Sequence, residues 1–181
     1  NPLVFKDAKY DPLRDFETIA QIATAPQMLV SALATPAGNL RELLALPRSQ
    51  TAGYAVGSSG LASVPHFTYE RLRMQTGLTL THVPYKGLAP SLNALLGNEI
   101  HLSFGSPTTV IGHIRAGRLR ALAVSGAQRW AVLPDVPTIG ETVNGFNVLV
   151  GGKQGSGGFT PAQPLDAFIS LGEAADVAAA I

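Results

Sequence analysis

Ser58 and Ser59 lie between two glycines in Gly57-Ser58-Ser59-Gly60, and His66 follows six residues after that segment. A serine hydroxyl with an imidazole base is the minimum set for nucleophilic acyl transfer, so a serine-dependent hydrolase using Ser59 and His66 is one reading. The spacing argues against it. The nucleophile elbow G-x-S-x-G needs a glycine two places after the serine, and in Gly57-Ser58-Ser59-Gly60-Leu61 it comes one place early. No motif places an acid to orient the histidine. The same residues suit a second chemistry, the holding of an anion. Small residues let backbone N–H groups approach a ligand, and serine hydroxyls add donors. Ser58, Ser59, Gly60 and Ser63 are the candidates in this loop, and His66 is expected beside them in the first turn of a helix. The serines also fit as turn residues that lead into that helix, but two serines beside a glycine after a strand favour the anion reading.

Tyr85-Lys86-Gly87 is a second candidate cluster. A phenol and an ammonium group can meet a carboxylate, although an ordinary surface turn with a solvated lysine has the same composition. Gly105-Ser106 is a third, ahead of Pro107-Thr108-Thr109, whose threonines read chiefly as first-turn residues. His82 and His101 fall in strand-like runs and His113 in a helical one, where packed or solvated histidines are the ordinary reading. The four histidines are 16, 19 and 12 residues apart, so none forms an H-x-x-x-H ligand pair. The chain has no cysteine, which excludes disulfides, thiolate catalysis and cysteine metal sites. Neither G-x-G-x-x-G nor G-x-x-x-x-G-K-[ST] is present, and Gly152-Lys153-Gln154 lacks the hydroxyl residue after lysine. No metal and no cofactor are expected.

Elements that could position these residues recur in one pattern. Three times a β-type run breaks into a small-residue loop and a proline opens a helix: at Gly57–Pro65, at Val83–Pro90 and at Phe104–Pro107. Proline suits a first helical turn because its missing N–H has no intrahelical partner there. The remaining N–H groups of such a turn point outward with partial positive charge. In a parallel sheet all such turns fall on one edge, so three helix starts can share one cleft. That predicts a binder of a small anionic solute.

The coarse reading agrees with an α/β sheet. Strands are expected near 18–23, 27–33, 52–56, 78–83, 100–104, 119–124 and 146–150, and helices near 38–47, 64–76, 90–96 and 107–116, with a helix start at 138–142. This alternation predicts a parallel-rich sheet with right-handed crossovers. Trp130 reads as a packing anchor in the loop 130–137. Residues 151–158 hold five glycines and read as a turn or linker, and 165–181 has helical spacing broken at Gly172. Apolar residues are 46% and charged residues 14%, the balance of a globular chain. A net charge of +1 without a lysine-arginine cluster argues against bulk nucleic-acid or membrane-surface binding. No stretch approaches the ~20 apolar residues of a membrane span. The chain begins at Asn1 without a signal-peptide pattern and ends inside an apparent helix, so a piece of a longer protein is expected.

Four stretches resemble the Bug-type periplasmic solute receptors, the substrate-binding components of tripartite tricarboxylate transport. Asn1-Pro2-Leu3-Val4-Phe5 with Tyr10-Asp11-Pro12-Leu13-Arg14-Asp15-Phe16 is similar to that family's N-P-x-L-Y…Y-D-P-x-x-D-F. Tyr54-Ala55-Val56-Gly57-Ser58-Ser59-Gly60 with Pro65-His66 resembles Y-A-S-S-G-x-G-x-P-x-H. His82-Val83-Pro84-Tyr85-Lys86-Gly87-Leu88-Ala89-Pro90 resembles H-V-P-Y-K-G-x-x-P. Gly117-Arg118-Leu119-Arg120-Ala121-Leu122-Ala123-Val124 with Leu133-Pro134-Asp135-Val136-Pro137-Thr138 resembles G-K-L-R-A-L-A-V…L-P-D-V-P-T.

The resemblance implies a type II periplasmic-binding-protein fold, two α/β lobes closing on a small carboxylate. Residues 1–30 would be a remnant of the first lobe and hinge, 31–147 the second lobe, and 148–181 a return segment toward the first. Hinge motion would centre on 18–35 and 119–150. Ser58, Ser59, Gly60, Ser63, His66, Tyr85, Lys86, Gly87, Gly105 and Ser106 would lie at the cleft. The implied protein is a non-enzymatic periplasmic receptor, without membrane insertion, whose partners are a small carboxylate and the membrane components of a tripartite tricarboxylate transporter. Two departures matter. Gly105-Ser106 stands where many members carry an aspartate, which favours a plain dicarboxylate or aromatic acid over an amino acid. Residues 148–155 do not follow the family's tail, and Phe159-Thr160-Pro161-Ala162 only echoes it.

Overall fold

Alternation along Met28–Ala32 sends Met28, Val30 and Ala32 to one apolar cluster and Leu29 to another. A strand buried on both faces needs a helical layer on each side, and the computed structural model, which describes residues 26–146 with Asp7, Lys9 and Asp15, supplies both. By compactness the chain divides into residues 26–148 and residues 1–25 with 149–181, and the fold below is that of the first unit.

In chain order the elements are β1 (Met28–Ala32), α1 (Leu40–Ala45), α2 (Arg48–Thr51), β2 (Ala55–Ser58), α3 (Val64–Thr76), β3 (Thr81–Pro84), α4 (Leu88–Leu96), β4 (Leu102–Gly105), α5 (Pro107–Arg115) and β5 (Leu119–Val124), then a 3-10 turn at Ile139–Glu141. The sheet order is β3-β2-β4-β1-β5. β2 runs parallel to β3 and β4, while β1 runs antiparallel to β4 and β5. The sheet is therefore mixed and parallel-rich. β1 departs from the parallel set because it ends at the edge where β2 begins, so α1 and α2 join them without a crossover.

Right-handed crossovers fix which face each helix takes. The chain steps from β2 to β3 in one direction, then from β3 to β4 and from β4 to β5 in the other. Accordingly Tyr69 and Leu72 of α3 join Leu40 and Leu43 of α1 in one cluster. Leu92 and Leu95 of α4 and Val110 of α5 belong to the other.

Several boundaries differ from the sequence expectation for local reasons. The helix expected over 38–47 stops at Ala45, and α2 restarts after Pro47. Asn39 caps α1 by accepting the Glu42 amide at 3.0 Å. α4 begins at Leu88 and places Pro90 inside its first turn, with Gly87 at φ 114° as the cap. Strands β2, β3 and β4 begin two or three residues later than expected, while β5 matches. The 3-10 turn carries a capping box between Thr138 and Glu141. The strand expected at 18–23 and the segments from 147 onward lie outside the described residues.

Two glycines let helices approach the sheet. A Cβ on Gly57 would lie 2.4 Å from Ser91 Oγ and 2.5 Å from Ile100 Cδ1. One on Gly105 would lie 2.9 Å from Val110 Cγ1. Gly57→Ala is expected to cost about 1–3 kcal/mol by overpacking. Urea denaturation should show a lower midpoint with an unchanged slope.

Candidate functional site

Ser58, Pro84, Gly105 and Val124 end the four parallel strands, and the register Met28↔Gly105 and Met28↔Val124 brings the start of β1 to the same edge. The chain reverses its stepping direction between β2 and β4, so a crevice opens outside their carboxyl ends. The starts of α3, α4 and α5 all face this edge.

The loop between β2 and α3 is held by its own side chains. Ser58 Oγ accepts the Gly60 amide at 3.2 Å, and Ser63 Oγ donates to the Gly60 carbonyl at 2.6 Å. Gly60 stands at φ 135° and Ala62 at φ 56°. His66 Nδ1 accepts the Ala62 amide at 3.2 Å. The Tyr85 amide donates to the Ser58 carbonyl at 3.0 Å, which joins this loop to the one after β3. Among the described residues, the backbone amides of Ser59, Leu61, Lys86, Gly87 and Thr108 have no hydrogen-bond acceptor in the chain. The edge therefore presents a set of unspent donors near three helix starts, which is the electrostatics of an anion site.

The sequence-predicted residues separate into two groups. Ser59, Gly60, Ser63, Lys86, Gly87 and Ser106 are exposed or half-buried along the edge. Ser106 Oγ lies 2.9 Å from Thr108 Oγ1 in the first turn of α5. The others are turned inward. Ser58 is 1% exposed and its hydroxyl is engaged by Gly60 and by His82 Nε2, at 2.7 Å. His66 is 2% exposed, stacks on His82 with ring centroids 3.8 Å apart, and has its second nitrogen 3.8 Å from Glu70 Oε1. Tyr85 packs against the α4 side of the core, with its ring over Gly57. Gly105 is covered by Val110 and Leu88. These four shape the edge from beneath and offer it no free polar side-chain atom from Ser58, His66 or Gly105.

Two edge residues escaped the sequence reading. His82 read as a packed or solvated strand residue, yet it bonds the loop serine, because the β2–β3 register sets Val56 opposite His82. Gln27 is 8% exposed where β1 enters the edge. Its backbone exchanges bonds with Ser125, while its carboxamide has no hydrogen-bond partner among the described residues. Only the strand register, which sequence periodicity leaves open, reveals either.

The hydrolase reading finds no support in this geometry. Ser59 makes no hydrogen bond to His66, whose Nδ1 is already an acceptor for Ala62. The close serine–histidine pair is Ser58–His82, but Ser58 is sealed from solvent and no carboxylate hydrogen-bonds His82 among the described residues. Among the described residues no three metal-binding side chains cluster, and no helix is long and apolar enough to cross a membrane. A separate open cavity of about 670 Å³ lies at the far edge of the sheet, lined by Leu46, Arg48, Thr76, Leu78 and Val143 among others.

The mixed, three-layer α/β unit is part of a type II periplasmic-binding-protein fold. The family model described as the tripartite tricarboxylate transporter family receptor matches residues 1–163, and the chain belongs to this family, which includes the Bug proteins. A UPF0065 protein of Bordetella bronchiseptica is 30% identical over 145 residues, 80% of this chain and 43% of its own length. The structure of Rpa4515 from R. palustris with adipate superposes with a TM-score of 0.74 at 33% identity, covering 82% of this chain and 50% of that one. The periplasmic binding protein BugD gives 0.75 at 29%, covering 83% and 50%. The chain thus spans about half the length of these relatives or less.

Burial and the facing His82 ring lower the pKa of His66 from 6.5 to about 4, and burial lowers His82 as well. The unfolded chain binds these protons at higher pH than the fold does. Stability is then complete above about pH 6.5 and falls as the pH drops toward 4, with His66 accounting for about 3 kcal/mol at most. Urea midpoints measured from pH 7.5 to 4.0 should decline over that window, and His66→Asn should flatten the decline.

Proposed function

We propose that this chain carries one lobe of a periplasmic solute receptor that takes a small carboxylate for uptake by a tripartite tricarboxylate-type transporter. The observation that supports this reading best is the convergence of three helix starts, with free amides at Ser59, Leu61, Lys86, Gly87 and Thr108, on one edge of the sheet. A carboxylate there is held by peptide N–H groups, directly or through water, with Lys86 adding a positive charge at the rim. No reacting side chain is needed, and the receptor performs no turnover. In this reading residues 1–30 belong to the first lobe and hinge, 31–147 to this lobe, and 148–181 to the return segment.

The ligand is a plain dicarboxylate or an aromatic acid. Gly105 is roofed by Val110 and Leu88, and Ser106 brings only a hydroxyl, so no carboxylate at that strand end meets a ligand amino group. Adipate in Rpa4515 is a dicarboxylate of this type.

Isothermal titration of the full-length protein with adipate, succinate and benzoate tests the reading. Binding of at least one acid is expected. Ser59→Ala and Lys86→Ala are each expected to weaken it about 5- to 10-fold, the effect of one hydrogen bond or rim charge, with the Lys86 effect shrinking in high salt. No heat with any carboxylate, together with hydrolysis of an ester that Ser59→Ala abolishes, would replace this reading with the hydrolase one.

A further inference from the structure

Beneath the loop that carries Ser59 and Leu61 lies a buried pair of imidazoles that ligand contact does not use. His66 of α3 and His82 of β3 stack with ring centroids 3.8 Å apart and planes 12° from parallel. Each ring holds a different part of the loop. His82 Nε2 lies 2.7 Å from Ser58 Oγ, which in turn accepts the Gly60 amide. His66 Nδ1 accepts the amide of Ala62 at 3.2 Å. Ala62 is the residue that needs holding, because its φ of 56° is a left-handed conformation that an L side chain adopts at a cost.

We propose that His66 and His82 are positioning residues for the carboxylate loop: their stack fixes Ser58–Ala62 in the geometry that presents free amides at the sheet edge, and protonation of His66 releases it. This rests on the reading of that loop under Proposed function. The two rings are not equivalent. The Gly60 carbonyl already receives the Ser63 hydroxyl at 2.6 Å and the Ser63 amide at 3.3 Å. Ser58 can therefore direct its proton to His82 Nε2. If His82 is protonated, Ser58 can accept from it and turn its own proton to the Gly60 carbonyl, 3.0 Å away, displacing the long 3.3 Å bond from the Ser63 amide. His66 has no such alternative. A proton on its Nδ1 faces the Ala62 N–H, so the bond becomes a donor–donor clash and the left-handed residue loses its anchor.

The charged and titratable groups around the pair do not remove this asymmetry. Glu70 of α3 lies 3.8 Å from His66 Nε2, but Arg73 of the same helix binds its other oxygen at 2.6 Å. The Tyr69 ring stands 6.1 Å from His82, and its hydroxyl is tied to the backbone of Leu80. Burial, with His82 opposite, keeps His66 neutral down to about pH 4.

The test uses the full-length protein and reads the loop without ligand. Amide chemical shifts and heteronuclear NOEs of residues 59–63 are followed by NMR from pH 7 to 3.8, with those of β1 as a control. In the native protein the Ala62 amide should shift in step with the His66 ring, and the loop NOEs should fall while β1 is unchanged. His66→Asn, whose Oδ1 stands near the place of Nδ1 and cannot be protonated in this range, should keep the loop ordered throughout. His66→Ala should show the disordered loop even at pH 7, with adipate affinity reduced about tenfold and restored to within threefold in His66→Asn. An Ala62 resonance that ignores the His66 titration, or a loop equally ordered in His66→Ala, would overturn the proposal. Should His66→Ala fail to fold, the native pH series and His66→Asn decide alone. If the native protein binds no adipate while the loop behaves as stated, the assignment of the loop to carboxylates fails and the positioning role stands.

Discussion

Handedness is the constraint on which the rest depends. A right-twisted strand followed by a helix returns to the sheet in one sense only. Once the chain steps from β2 out to β3 and back past β2 to β4, α3 must take one face, and α4 and α5 the other. The same reversal leaves the carboxyl ends of β2 and β4 side by side, with no connection between described strands crossing over them. The crevice is thus a result of topology, and the amides without acceptors among the described residues come from the helix starts and loops that the topology aims at it.

Close packing then sets how well those starts are aimed. Gly57 lies under α4 through Ser91, and Gly105 lies under α5 through Val110. A deeper layer of small polar contacts accompanies this approach: Ser91 Oγ meets Ser103 Oγ at 3.1 Å, and Ser103 donates to the Gly57 carbonyl. Helices seated this near the sheet hold their first turns at a defined height above the strand ends. Gly105 and Tyr85, ligand candidates by residue type, also take part in this seating.

Much of this was readable from the chain. Glycines at 77, 97 and 117 close helices, prolines at 65 and 107 open them, and the apolar runs between them read as strands. The antiparallel course of β1 was not readable, because nothing in Met28–Ala32 differs in composition from a parallel strand. The site was half readable. Gly57–Gly60 and Tyr85–Gly87 announce loops after strands by residue type alone. Whether Ser58 or Ser59 faces outward depends on the pleat, and whether His82 meets Ser58 depends on register, and both are settled by pairing across some 25 residues of intervening chain. His66 looked exposed because first turns generally are; the inward tuck of Ala62 over it has no signature in a sequence where alanine stands at a left-handed position.

Recognition by peptide groups has an unusual relation to mutation. Replacing a side chain cannot take away a main-chain donor, so the row of amides at this edge survives most sequence drift, and only the side chains around it change. Proline is the exception, since it alone erases an amide. Three of them stand within these first turns, at 65, 90 and 107, each beside a position that keeps its N–H. They act as stencils: at α5, Pro107 blanks the first site and leaves the Thr108 amide without an acceptor among the described residues, while the Thr109 and Val110 amides bond the Ser106 carbonyl. The imino acids along the rim thus decide which first-turn positions can donate at all.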